Sequence, residues 1–383
     1  QLEFADGGGG VSSDSQSNTI GGSGAGANFS GTDAEENTLF GKDAGNEITT
    51  GDNNTFFGRV AGKNITTSSN NSAFGHNALN TGQTINGCTA IGGSALATCT
   101  ADYQTAVGYN SLKILTSDTK NVACGYNTGQ ALQTGNSNTY LGYEAGRLHT
   151  GTGQTFIGAE AGFNATSAGY GVCVGMHAGK NITTGTENTF VGNSAGNNTT
   201  TGGYNIGLGR IACERTTTGS NNVHIGYQAG RFFTTADTNV FIGQETGKGV
   251  ENSSTGGQNT CVGKYSATGL TTGSQNTMLG GNHGNYITTL TTGIRNVLIG
   301  TYCRTSASDA TEQIVIGYNV GGKGNNTAYI GGISGAYNGP NITTWTTTSD
   351  ERIKKNIVDN NSGLDILNQI QIRNFEYRTE EEI

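Results

Sequence analysis

The sequence predicts an all-β repeat solenoid, a parallel β-roll with rungs of about 17 residues, and three observations carry that expectation. The first is a recurring phrase: Asn or a polar stand-in, a β-branched residue, two mostly apolar residues, then glycine. It is written as Asn37-Thr38-Leu39-Phe40-Gly41, Asn54-Thr55-Phe56-Phe57-Gly58 and Asn188-Thr189-Phe190-Val191-Gly192. Counted from Gly21 to Gly331, twelve of the 18 gaps between closing glycines are 17 residues and two are 16. The second is that the 65 glycines keep a fixed phase, which a flexible linker would not do. The third is that Gly and β-branched residues dominate without a 3.6-residue period, which argues against helix.

Residues 1–17 read as an N-terminal joint, with Gly7 to Gly10 flexible because no Lys-Ser/Thr follows to make a phosphate loop. Residues 18–335 are the repeat. Numbering each rung from its closing glycine, position −3 is Thr, Val or Ile in 16 of 18 regular copies, and −1 is almost always Ile, Val, Leu or Phe. Strand side chains alternate with period two, so −3 and −1 share one face and −2 takes the other. The regular face is expected inside. The mixed −2 face (Phe56, Ala73, Tyr140, Phe190, His224) is then expected to meet neighbouring chains. Small-residue turns follow the glycine, as at Ala44-Gly45. A second apolar position near +7, such as Ile48 and Ile182, leads into Thr-Thr-Gly. Each rung therefore reads strand, turn, short strand, turn. A two-sided roll fits better than a triangular β-helix, which would show three apolar positions per turn.

Two or three buried side chains per rung, at about 1.5–3 kcal/mol each, fall short of the ordering cost of about 1.5 kcal/mol per residue. Packing of several chains around a common axis would supply the missing burial. Asn at −4, present in 12 copies, is expected to stack into ladders up the fibre.

The net charge of −8 is spread thinly and no basic run appears, which excludes ordinary nucleic-acid binding. No apolar stretch approaches about 20 residues, so no membrane insertion is expected. The absence of a secretory signal and the start at Gln1 read as a trimmed portion of a longer chain. Seven cysteines make no framework. Cys124, Cys173 and Cys261 stand in apolar slots, Cys88 and Cys99 are one pair a disulfide could join, and the odd count leaves a thiol free. The five histidines are dispersed, and no carboxylate pair recurs at a cleft position, so neither a metal, a cofactor nor a glycosidase is expected. Asn-x-Ser/Thr triplets such as Asn28 and Asn164 follow from composition.

The Asn-Thr/Val-x-Ile/Val-Gly-x-x-Ala-Gly unit resembles the head repeat of trimeric autotransporter adhesins, left-handed parallel β-rolls assembled as trimers, and is more similar still to repeat regions of viral fibre proteins. After a linker at 336–348, residues 349–383 start a short α+β segment. The stretch Trp345-Thr346-Thr347-Thr348-Ser349-Asp350-Glu351-Arg352-Ile353-Lys354, with Asn374-Phe375-Glu376-Tyr377 downstream, resembles the opening of the intramolecular chaperone of endosialidase. That resemblance implies trimerisation of a phage tailspike or fibre and self-cleavage before Asp350. Ser349 would be the nucleophile and Lys354 its activating base; no other enzymatic activity is implied. The expected function is a viral tail fibre on the virion surface, homotrimeric and binding a glycan or protein receptor on the host cell. The alternative is a cellular surface adhesin of the trimeric autotransporter type.

Overall fold

The computed structural model describes residues 10–30, 33–81, 84–117, 119–283, 290–332, 335–339 and 346–347. Nineteen three-residue strands, from Thr19–Gly21 to Ala328–Ile330, form one continuous parallel ladder, each paired in register with the same positions of the next rung. At about 4.8 Å per rung, the stack is roughly 85–90 Å long. Both ends close with antiparallel strands. Val11–Ser13, inside the stretch read as a joint, pairs with the first rung, and Ala336–Asn338 pairs with the last and then with Thr346–Thr347. An open parallel edge would template further pairing, so these terminal strands cover the stack.

The chain coils through left-handed residues. Positions −5, +2 and +4 carry positive φ rung after rung, as at Asn53 (57°), Asp43 (56°) and Gly45 (54°). The closing glycine has φ near 130°, a conformation closed to L side chains. A Cβ on Gly41 would also stand 2.6 Å from the carbonyl oxygen of Gly58 one rung on. This column places the first closing glycine at Gly22, not Gly21: Gly21 pairs with Phe40, and Gly22 abuts Gly41.

The second strand expected in each rung is reduced, among the described residues, to isolated parallel bridges such as Phe233 with Ser254. In its place three consecutive amides, Thr183, Thr184 and Gly185, donate to one carbonyl, Thr200 O, at 2.9, 3.3 and 3.2 Å. Successive N–H groups of an extended strand point in opposite directions, so such convergence is a curved turn. Threonine hydroxyls reinforce it, with Thr183 Oγ1 also donating to Thr200 O at 3.1 Å.

The faces are the reverse of the sequence expectation. Phe56, Tyr140, Phe190 and Met278, at −2, are buried inside their own roll, whereas −3 and −1 point outward. The parity follows from Asn at −4, which shares a face with −2 and is itself buried. The ladder expected there is present. Asn205 Nδ2 donates to Asn188 Oδ1 at 3.1 Å and to Gly219 O at 2.8 Å, while Asn205 Oδ1 accepts from the backbone N and Nδ2 of Asn222 at 3.1 and 3.0 Å. These ladder amides are thereby satisfied.

Volume inside the roll is compensated within most rungs; in one exception, Ala123 with Gly129, the space at Gly129 is met by Leu112 and Tyr140 of the adjacent rungs. Where −2 is aromatic, +4 is glycine, and a Cβ on Gly162 would stand 2.5 Å from the Phe156 ring. Where −2 is Ala73, Ala90 or Ala106, +4 is Leu79, Leu96 or Leu112, all buried. Ala at +3 and aliphatic residues at +7, including Ile48, Ile65 and Leu132, complete the core. Burial inside one chain is therefore richer than the two or three side chains per rung expected above.

Candidate interaction surface

The three-residue strands put two columns of side chains on the outside. From Phe40 to Ile330, the 18 residues at −1 are aliphatic, aromatic or cysteine, without one charge or amide. Phe57 is 37% exposed, Leu141 47% and Ile330 41%. Phe40, Phe57 and Phe74 stack with centroids 4.9 and 5.3 Å apart, the rung spacing written in rings. Beside them the −3 column is threonine and β-branched aliphatic, with Val122, Ile206 and Ile314 exposed. Parallel in-register pairing makes this face a flat apolar stripe running the length of the stack. A monomeric protein rarely leaves so long a stripe in water.

Tyrosines occupy both rims. At +1, Tyr109, Tyr126 and Tyr143 stack at 5.6 and 5.5 Å. At −5, Tyr103, Tyr170 and Tyr204 all adopt left-handed φ (55°, 56° and 59°), and Tyr170 is 71% exposed. An aromatic residue is unusual in a left-handed position; the other rungs use polar or charged residues, among them Asn53, Ser137, Gln258 and Arg295, or glycine. The only two glycines in this column, Gly87 and Gly153, lie one rung before Tyr103 and Tyr170. A Cβ on either would stand 2.7 or 2.9 Å from the ring. The chain thus clears its backbone so that an exposed ring can lie along the corner. On the same corner a polar groove of about 300 Å³ is lined by Thr235, Asp237, Thr238, Thr255, Gln258 and Ser274.

Charge is kept off the stripe. Ion pairs link neighbouring rungs at other edges, such as Arg231–Glu214 at 2.5 Å and Lys180–Glu160. The buried histidines His149 and His224 and the buried thiols Cys173 and Cys261 are neutral components of the core. Burial lowers His149 to about 4 and His224 to about 3. His149 Nδ1 meets the Tyr140 hydroxyl at 2.6 Å and Nε2 meets Ala168 O at 2.9 Å; His224 stacks on Phe241 at 4.9 Å. Burial likewise pushes the Cys173 and Cys261 thiols well above their ordinary value, so neither is a nucleophile. Among the described residues, no group of three His, Cys, Asp or Glu side chains is placed to hold a metal, and no helix is long and apolar enough to cross a membrane.

Ser349, Asp350 and Lys354 lie outside the described residues. The outward −3/−1 stripe and the left-handed tyrosines were not singled out as surface from sequence. The signal for the first was present, because a buried Asn column at −4 commits −2 to the interior. No family model, curated protein or solved structure matches the chain.

Proposed function

We propose that this chain is a structural fibre of a virus particle, assembled as a homotrimer through its outer sheet face and presenting its corners to a receptor on the host surface. The observation that carries the assembly is the uncharged −3/−1 stripe. With a length of roughly 85–90 Å and a width of about 10 Å, it offers on the order of 800 Å² per copy, the size of a standard stable interface. A rotation axis parallel to the stack sets each rung against the same rung of the other copies. In a three-fold assembly the contact is heterologous, one edge of the stripe on each copy meeting the other edge on the next, and the rotation closes the ring. Three copies follow the adhesin-head and viral-fibre resemblance of the repeat.

Receptor contact then falls to what remains outside the stripe, where the left-handed tyrosines and the polar groove share one exposed corner. Strained, exposed side chains of this kind point to a functional contact. The chaperone-like tail, with self-cleavage between Ser349 and Asp350, belongs to the same proposal as the device that brings three chains together.

Sedimentation of the full chain tests the assembly: three copies are expected, and a stable monomer overturns the reading. Leu141→Asp with Val191→Asp should release monomers whose circular dichroism is unchanged, since both side chains are outside the core. Tyr103, Tyr170 and Tyr204 changed together to Ser should lower attachment to host cells while the trimer persists.

A further inference from the structure

The rung closed by Gly92 departs from the repeat twice. Its −4 position, asparagine in 12 regular rungs, is Cys88, and its +7 position, commonly aliphatic, is Cys99. No other rung carries two cysteines. Both side chains point into the roll, 1% and 0% exposed. Both also arrive at one atom: Cys88 Sγ donates to Ala101 O at 3.4 Å and Cys99 Sγ to the same oxygen at 3.3 Å.

In rungs that carry asparagine at −4 the matching loop carbonyl is held by its amide, as Asn71 Nδ2 holds Ile85 O at 2.8 Å and Asn121 Nδ2 holds Gly135 O at 2.9 Å. A thiol is a weak donor and a poor replacement for that amide. Cys88 also interrupts the amide ladder: its backbone N still donates to Asn71 Oδ1 at 2.9 Å, but its side chain offers no amide oxygen to the following rung. Two coincident departures that weaken the local hydrogen bonding, and place two sulfurs on one oxygen, need a common reason.

We propose that Cys88 and Cys99 are the site of an intramolecular disulfide that braces this rung from one wall of the roll to the other. The bond forms as the two sulfurs turn off the Ala101 carbonyl and close to about 2.05 Å. The oxidant is a low-molecular-weight disulfide such as oxidised glutathione. The Cys88 thiolate attacks one sulfur of that disulfide and expels a thiolate, leaving a mixed disulfide. The Cys99 thiolate then attacks the Cys88 sulfur and expels the second. Two protein thiols and one small disulfide become one protein disulfide and two small thiols, with both protons passing to the leaving groups or solvent. The adjacent Cys99 thiol, acting as a donor, holds Cys88 below the ordinary thiol value, whereas the same neighbour and burial hold Cys99 above it. Because both positions are sealed in the finished roll, the exchange takes place while the rung is folding.

The test is to refold the full chain in a mixture of reduced and oxidised glutathione, confirm the β-sheet spectrum, then denature and alkylate without reductant. Five of the seven cysteines should be alkylated, and proteolysis after Leu96 should leave the peptides bearing Cys88 and Cys99 joined until a reductant is added. In Cys88→Ser or Cys99→Ser, all six remaining cysteines should be alkylated. Seven alkylated cysteines in the refolded wild type, or a missing pair that maps elsewhere, overturns the proposal. Should either variant fail to fold, the wild-type peptide map decides alone. Neither result depends on whether the fibre is viral or trimeric.

Discussion

Exchanging the core composition of one rung for that of another gives a sharp test of the packing. Phe190 is fully buried at −2, and Gly196, with φ 59°, faces it at +4. Phe190→Ala should cost about 3–5 kcal/mol, the transfer term plus the cavity. Gly196→Leu alone should cost about 1–2 kcal/mol for a left-handed leucine and about 1–3 kcal/mol or more for overpacking, because its Cβ would collide with the Phe190 ring. The double variant reproduces the Ala73/Leu79 rung, where buried Leu79 is left-handed with φ 52°. There the new leucine fills the vacated space, returning about 1.5–3 kcal/mol against the same backbone cost. The coupling between the two sites should therefore be about 2.5–6 kcal/mol. Denaturant titration of the four chains, with amide exchange at the neighbouring rungs to localise the effect, measures it. Additive losses in the double variant would refute the idea that −2 and +4 share one volume.

Acid should weaken the roll through its buried histidines. Their folded-state values lie below the ordinary 6.5, at about 4 for His149 and about 3 for His224. The unfolded chain therefore takes up protons first, and stability is lost as pH falls below 6.5, by about 2 kcal/mol per histidine at pH 5. His224→Phe, a residue its column already uses, should reduce the slope of melting temperature against pH; an unchanged slope would show that His224 is not buried neutral. Asn205→Ala removes the acceptor of the Asn222 amide and the donor to Gly219 O, and should cost about 2–4 kcal/mol through groups left unpaired in the core. Faster hydrogen exchange at the Asn222 amide is the accompanying sign, and normal protection there would remove the ladder from the stability account. Ser349→Ala should leave an uncut chain that still assembles, read as a single band of full mass. Cutting that persists in this variant would exclude Ser349 as the nucleophile.

The solenoid, its rung length and the asparagine ladder were legible in the sequence because each depends on a residue recurring at one phase, and in-register stacking converts phase directly into position. The closing-glycine column was legible for the same reason, since the next rung's backbone forbids a Cβ at Gly41 or Gly58. Its first member was miscounted as Gly21, where a pair of adjacent glycines hides the phase that pairing with Phe40 resolves.

The assignment of faces was decided only by the tertiary structure. Period two fixes that −3 and −1 lie together, but not which side of the strand encloses the core. The uniform −3/−1 columns look like a core and the mixed −2 column looks like a surface. The mixture is in fact balanced across the roll, Phe190 against Gly196 and Ala73 against Leu79, by contacts between the strand and the turn that follows it. Uniformity outside and compensated variety inside cannot be separated by composition alone. They separate once the buried amides at Asn188 and Asn205 fix the inward direction, because a desolvated amide requires its partners and an exposed valine requires none.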